Sequence, residues 1–166
     1  MKKAIARLLI AAILIVICLP VQAEAAQFRS TQALLAALNE AEIAYTIGGL
    51  DDDGDERVRI PYRDANNFEY TIHLFFDDNE ENCYLRVWNI INYAEVDFSK
   101  ILRVCNSLNN KYNYVCFNAD ETDNTVTATM DTIYRDNDVG EIVLEAVQHM
   151  MSIIEKSYPS LEVYDQ

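Results

Sequence analysis

Hydrophobic residues recur at every second position from Phe68 to Phe76, through Tyr70, Ile72 and Leu74, until six polar residues, DDNEEN, interrupt the pattern. A second apolar run, Cys83 to Ile90, follows. Side chains alternate across a strand, so this period puts the five residues on one face, and the polar break reads as a turn between antiparallel partners. The hairpin is the predicted centre of a sheet. Upstream, Ile43 to Ile47 alternates weakly into Gly48 and Gly49, which permit a bend, and Asp53-Gly54 is a hairpin signal leading into a strand over Arg57 to Tyr62. Pro61 has no N–H for a ladder, which sets that strand at an edge or the proline beside its end. Downstream, Tyr112 to Phe117 and Thr125 to Tyr134 read as strands around the polar turn NADETDN at 118–124, with Val126, Ala128 and Met130 on one face.

Three stretches carry the longer period of a helix. In QALLAALNEAEI, Leu34, Leu35, Leu38 and Ala41 share a side, and Ser30 or Thr31 is placed to cap the first turn. Phe98, Ile101, Leu102, Cys105 and Leu108 repeat at three and four behind a cap at Asp97 or Ser99, and the helix runs out in Asn109, Asn110 and Lys111. From Val139, the residues Ile142, Val143, Ala146, Met150, Ile153 and Ile154 trace one stripe, which Pro159 is expected to end. The predicted class is α+β, an antiparallel sheet packed with helices in the order α-β-β-β-β-α-β-β-α.

The first part of the chain belongs to targeting rather than to this fold. Lys2, Lys3 and Arg7 precede the almost wholly apolar Leu8 to Leu19, and Pro-Val-Gln-Ala at 20–23 has the small-residue ending of an export signal, with Ala25 as a second cleavage point. The apolar run is shorter than the roughly 20 residues a bilayer span needs. Residues 1–23 are therefore read as a signal peptide and 24–166 as one domain with its core over about 30–160, located outside the cytoplasmic membrane. An uncleaved N-terminal anchor is the alternative. The whole chain carries a formal charge of −14, and without Lys2, Lys3 and Arg7 only ten Lys and Arg face 27 Asp and Glu. Such a surface repels nucleic acid and anionic lipid. The mature chain keeps Cys83, Cys105 and Cys116, an odd number in apolar surroundings, expected to be buried free thiols or, in an oxidising compartment, to form at most one disulfide.

Candidate chemistry is sparse. Asp51, Asp53 and Asp55 in DDDGDE have the alternate spacing of a calcium loop, but counting from Asp51 the sixth and twelfth positions hold Glu56 and Tyr62 where such a loop needs Gly and Glu. The segment reads as an exposed β-turn, with a calcium-stabilised structural module as an alternative. His73 falls opposite Ile72 and Leu74 without a serine, cysteine or carboxylate at catalytic spacing, and reads as a surface or rim residue. His149, Met150 and Met151 make a metal patch only on paper, because Met150 belongs to the packing stripe. No catalytic residue, cofactor or metal is assigned; a hydrolase using acidic residues is the enzymatic alternative. Phe75, Phe76, Tyr84 and Trp88 supply more aromatic area than one face of the central hairpin needs. Either both faces are covered or one is a binding surface, and Tyr84, Arg86 and Trp88 form the candidate partner surface. An Arg86 stem packed over the Trp88 indole is the plainer outcome.

The strand-like CYLRVWNI at 83–90, the helix and strand in VCNSLNNKYNYVCF at 104–117, VTATMDTIY at 126–134 and a terminal helix from near Asp138 together resemble the YbjN family. An Asn-containing LN turn before a strand matches Leu108 and Asn109, and an Asp after the last strand's apolar positions matches Asp131. The resemblance covers roughly residues 30 to 160. It implies the fold of the type III secretion chaperones and brings no catalytic residues; Asn109 and Asp131 are taken as turn and cap residues. Many members of that family lack an export signal, which this chain carries. The expected function is a non-enzymatic exported accessory domain that binds a protein or peptide, with a homodimer as a further expectation.

Overall fold

The computed structural model describes residues 25–64, 67–135 and 137–166. Residues 1–23, expected to form a signal peptide, lie outside the described residues, as does the first expected cleavage point, after Ala23. The order is α1 (Arg29–Glu40), β1 (Thr46–Leu50), β2 (Glu56–Arg63), β3 (Glu69–Phe76), β4 (Asn82–Val87), α2 (Phe98–Lys111), β5 (Cys116–Asp120), β6 (Thr125–Ile133) and α3 (Val139–Leu161), with short 3-10 turns at Glu95–Asp97 and Glu162–Tyr164. The expected order of helices and strands is present. All pairings are antiparallel, and the six strands lie in the order β1-β2-β3-β4-β6-β5.

Period two decides which face is buried. Tyr70, Ile72, Leu74 and Phe76 of β3, Cys83, Leu85 and Val87 of β4, and Val126, Ala128 and Met130 of β6 all point into one core with Val58 and Ile60 of β2. Leu34 and Leu38 of α1, Ile101, Cys105 and Leu108 of α2, and Val143, Val147, Met150 and Ile154 of α3 close it from the same side. The alternate residues of the central strands remain half-buried or exposed. The result is two layers, helices on one face of a sheet whose other face no described element covers.

Several local expectations are corrected. Ser30 and Thr31 do not cap α1: the helix begins at Arg29, no side chain caps it at Phe28, and both hydroxyl residues are buried within its first turn. The carboxylate of Glu56 instead accepts the N–H groups of Gln27 (2.6 Å) and Phe28 (2.9 Å), and Glu80 accepts that of Ser30 (2.8 Å). Ala41 ends the helix and is exposed. Neither Asp97 nor Ser99 caps α2 by side chain; Asp97 pairs with Lys100 at 2.5 Å, and Leu102 faces solvent. The strand expected from Tyr112 starts at Cys116, because Tyr114 takes a positive φ of 71° that no ladder accommodates. Asn118 to Asp120 are strand rather than turn. Pro159 does not end α3, which continues to Leu161. Pro159 is exposed and gives up only one hydrogen bond in the last turn, while fully buried Ser157 and Leu161 anchor that turn to the core. β2 is not an edge strand: Pro61 pairs with Thr71 two residues before the strand's end at Arg63, and it lies two residues beyond the last β1 pairing, at Arg59, where its missing N–H costs no bond to β1. Cys83 and Cys105 are buried free thiols, but Cys116, on the exposed side of edge strand β5, is a free thiol open to solvent.

Asn109 and Asp131 are not turn and cap residues. Asn109 sits inside α2 and reaches the outer edge of β5, where its Oδ1 accepts the Phe117 N–H (2.7 Å) and its Nδ2 donates to the Phe117 carbonyl (3.0 Å). One side chain thus occupies the outward backbone groups of Phe117, where a further strand would otherwise pair. Asn109→Leu leaves both backbone groups unpaired beside buried Phe117, so it is expected to lower stability by about 2 kcal/mol. Urea unfolding should show a lower midpoint at unchanged slope, and Asn109→Asp, which keeps the acceptor alone, should fall between.

Candidate functional site

The open face is organised by register. One row crosses the sheet as Arg59, His73, Arg86, Thr129 and Cys116, and the next as Arg57, Phe75, Tyr84 and Asp131. Neighbouring strands lie about 4.8 Å apart, so Arg59 and Arg86 flank His73 within a span of about 10 Å. Trp88, just past the end of β4, folds back over β3: its ring is 4.5 Å from that of His73 and 5.9 Å, edge-on, from that of Phe75. It remains 45% exposed.

The three residues expected to form a partner surface are therefore together on an uncovered face. Their mutual packing differs from the plainer expectation. The Arg86 guanidinium lies 5.6 Å from the Tyr84 ring centroid rather than over Trp88, and it donates to Asp131 (2.6 Å) and the carbonyl of Leu85 (2.8 Å). Arg86 is a tied-down cation. Asp131, placed mid-strand on the open face, is its counter-charge.

Arg57 and Arg59 were not singled out in the sequence, although ERVRIPYR sets them at period two opposite buried Val58 and Ile60. Neither has a carboxylate partner among the described residues. The Arg57 stem passes over Gly48, where a β-carbon would stand 3.2 Å from its own, and the β1 register slips at that point. The missing side chain admits the arginine. Its Nε is buried without a hydrogen-bond partner. Burial, and then the charges of Arg59 and Arg57, hold the His73 imidazole below its usual range, so it is neutral at pH 7. The acidic turns lie at one end of this sheet: burial raises the Asp55 carboxyl, as do Asp51, Asp77, Asp53 and Asp78, in that order. The open face is a small cationic and aromatic island on an acidic molecule.

The other candidates resolve differently. Asp51 is used by its own turn, accepting the N–H groups of Asp53 (3.1 Å) and Asp55 (3.0 Å). Among the described residues no three His, Cys, Asp or Glu side chains converge as a metal site. His149 is exposed while Met150 is fully buried, so they form no common patch. Three carboxylates, Asp64, Glu155 and Glu162, line a hollow of about 450 Å³. Two of them hold structure there: Asp64 accepts the Phe68 N–H (2.8 Å), and Glu155 accepts the Tyr62 hydroxyl. No helix among the described residues is long and apolar enough to cross a membrane. No model of a known protein family matches the chain, and no curated protein matches it.

Proposed function

We propose that the chain is a non-catalytic, exported binding domain whose open sheet face engages a protein or peptide partner. The observation that carries this reading is the uncovered centre of the sheet. Phe75, Tyr84 and Arg86 project from strands whose opposite sides are fully packed, and Trp88 folds over them from just past β4, so these rings are not needed to complete the core. Clustered aromatic and arginine side chains are what protein interfaces concentrate at their centres. The resemblance to the YbjN family, and through it to the secretion-chaperone fold, supports a binding role over a catalytic one.

The test is site-specific crosslinking in intact cells. A photoreactive amino acid replacing Tyr84 should yield discrete crosslinked species on illumination. The same group replacing Ser107, exposed on α2 at the opposite layer, should not. If the two positions give the same products, or Tyr84 gives none, the reading falls.

A further inference from the structure

Resting on that reading, we infer that the open face takes an acidic peptide segment, seating a carboxylate between Arg57 and Arg59 and an adjacent apolar side chain against Phe75 and Trp88. Three observations lead there. The chain holds 27 acidic residues, yet among the described residues none pairs with either arginine. Arg57 Nε is buried against Gly48, and among the described residues no carboxylate occupies the rest of its guanidinium. The two guanidinium groups project from alternate positions of one strand beside a neutral His73 and a half-exposed indole, so charge and apolar area are contiguous.

The dimensions select among anions. A nucleic acid or an anionic membrane would extend past the island onto Asp131, Glu69 and the acidic turns at 51–56 and 77–82, where it is repelled. A second copy of this chain, at −14 overall, meets the same repulsion at long range. A short segment with one or two carboxylates stays within the roughly 10 Å between β2 and β4. The carboxylate comes either from an Asp or Glu side chain or from a chain terminus.

Trp88 is the only tryptophan, so its emission reports from the site itself. The probes are hexapeptides alternating Leu and Glu, acetylated and amidated, and the same with Gln for Glu, the latter also as the free C-terminal acid. Titrated into the purified protein, the Glu peptide should change Trp88 emission saturably, and its affinity should fall as salt is raised. The amidated Gln peptide should bind at least about tenfold more weakly, and Arg59→Gln should weaken the Glu peptide by a similar factor, as the loss of a charge-assisted hydrogen bond requires. Arg59 is exposed, so that variant keeps the fold; Arg57→Gln, compared at equal melting temperature, should repeat the effect. Binding of the free-acid Gln peptide as tight as that of the Glu peptide supports the inference and assigns the carboxylate to a chain terminus. Equal binding of the amidated Glu and Gln peptides with no tighter binding of the free-acid Gln peptide, no saturable change with any peptide, or an unaffected Arg59→Gln overturns it. So does emission that shifts with protein concentration alone, which would mark a second copy as the occupant. Crosslinking at position 84 is unaffected by any of these results, so the broader reading stands or falls separately.

Discussion

Replacing Glu56 by Ala should lower the stability of the protein by about 3 kcal/mol, more than any other single polar substitution considered. Glu56 has no exposed surface, and its two oxygens accept the N–H groups of Gln27 and Phe28 immediately before α1. That helix has no acidic residue in its first turn and no side-chain cap of its own, so the positive end of its dipole is met by Glu56 and Glu80. Hydrogen bonds to a charged acceptor contribute about 1.5–3 kcal/mol each, and the Ala variant also leaves a void at the base of β2. Glu56→Gln keeps the volume and one acceptor but turns a donor toward a second N–H, so about half the loss should remain. Chemical denaturation measures both. Hydrogen exchange adds a local readout: residues 27–32 should lose protection in Glu56→Ala before the sheet does. An unchanged midpoint for the Ala variant would mean that the helix start is held by something else.

Glu56 also marks the limit of what the sequence could disclose. Strands and helices announced themselves because burial on one face imposes a period, and DDDGDE and DDNEEN announced turns because they break it. The start of α1 misled, because Ser30 and Thr31 have the right chemistry for a cap while the carboxylates that serve lie 28, 29 and 50 residues from the N–H groups they accept, in another layer. Asn109 misled in the same way: a helix-ending residue by type, it is a clamp on β5 by position. Tyr112 to Val115 alternates like a strand, yet the backbone turns at Tyr114, and no pattern of side chains reports a dihedral angle.

The site divides along the same line. Tyr84, Arg86 and Trp88 were legible as alternate positions of one run, although the strand ends at Val87 and Trp88 lies just beyond it. Arg57 and Arg59 were equally regular on their own strand, but their meaning depends on the pairing of Arg59 with His73 and of His73 with Arg86, and register across three strands is a tertiary fact. What was missing was an account of which cations had found partners. Only the folded chain distinguishes Arg86, neutralised by Asp131, from two arginines left open beside an indole.

The second large effect is expected at Gly140, in the first turn of α3. A β-carbon there would stand 2.8 Å from the carbonyl oxygen of Ala33 and 3.3 Å from its carbon, with the Ala37 β-carbon at 3.6 Å. The obstruction is mainly the backbone of α1, which cannot swing aside as a flexible side chain could. Two terms oppose each other in Gly140→Ala. Helix propensity favours alanine by up to about 1 kcal/mol. Overpacking costs about 1–3 kcal/mol, toward the upper end when backbone must move. The steric term wins, and Gly140→Ala should be destabilising by about 1–2 kcal/mol. Gly140→Val adds two methyl groups and a β-branch, and should cost about 3 kcal/mol or more. The damage should propagate, since α1 joins the core through this contact and through Leu34 and Leu38. Separation of α1 would also withdraw Gln27 and Phe28 from Glu56, so Gly140→Val and Glu56→Ala should combine to less than the sum of their separate costs. A double-mutant cycle in urea measures that coupling. Strict additivity would show that the helix contact and the carboxylate act on independent parts of the fold, and a Gly140→Ala variant more stable than the parent would show that the two helices do not meet at this glycine.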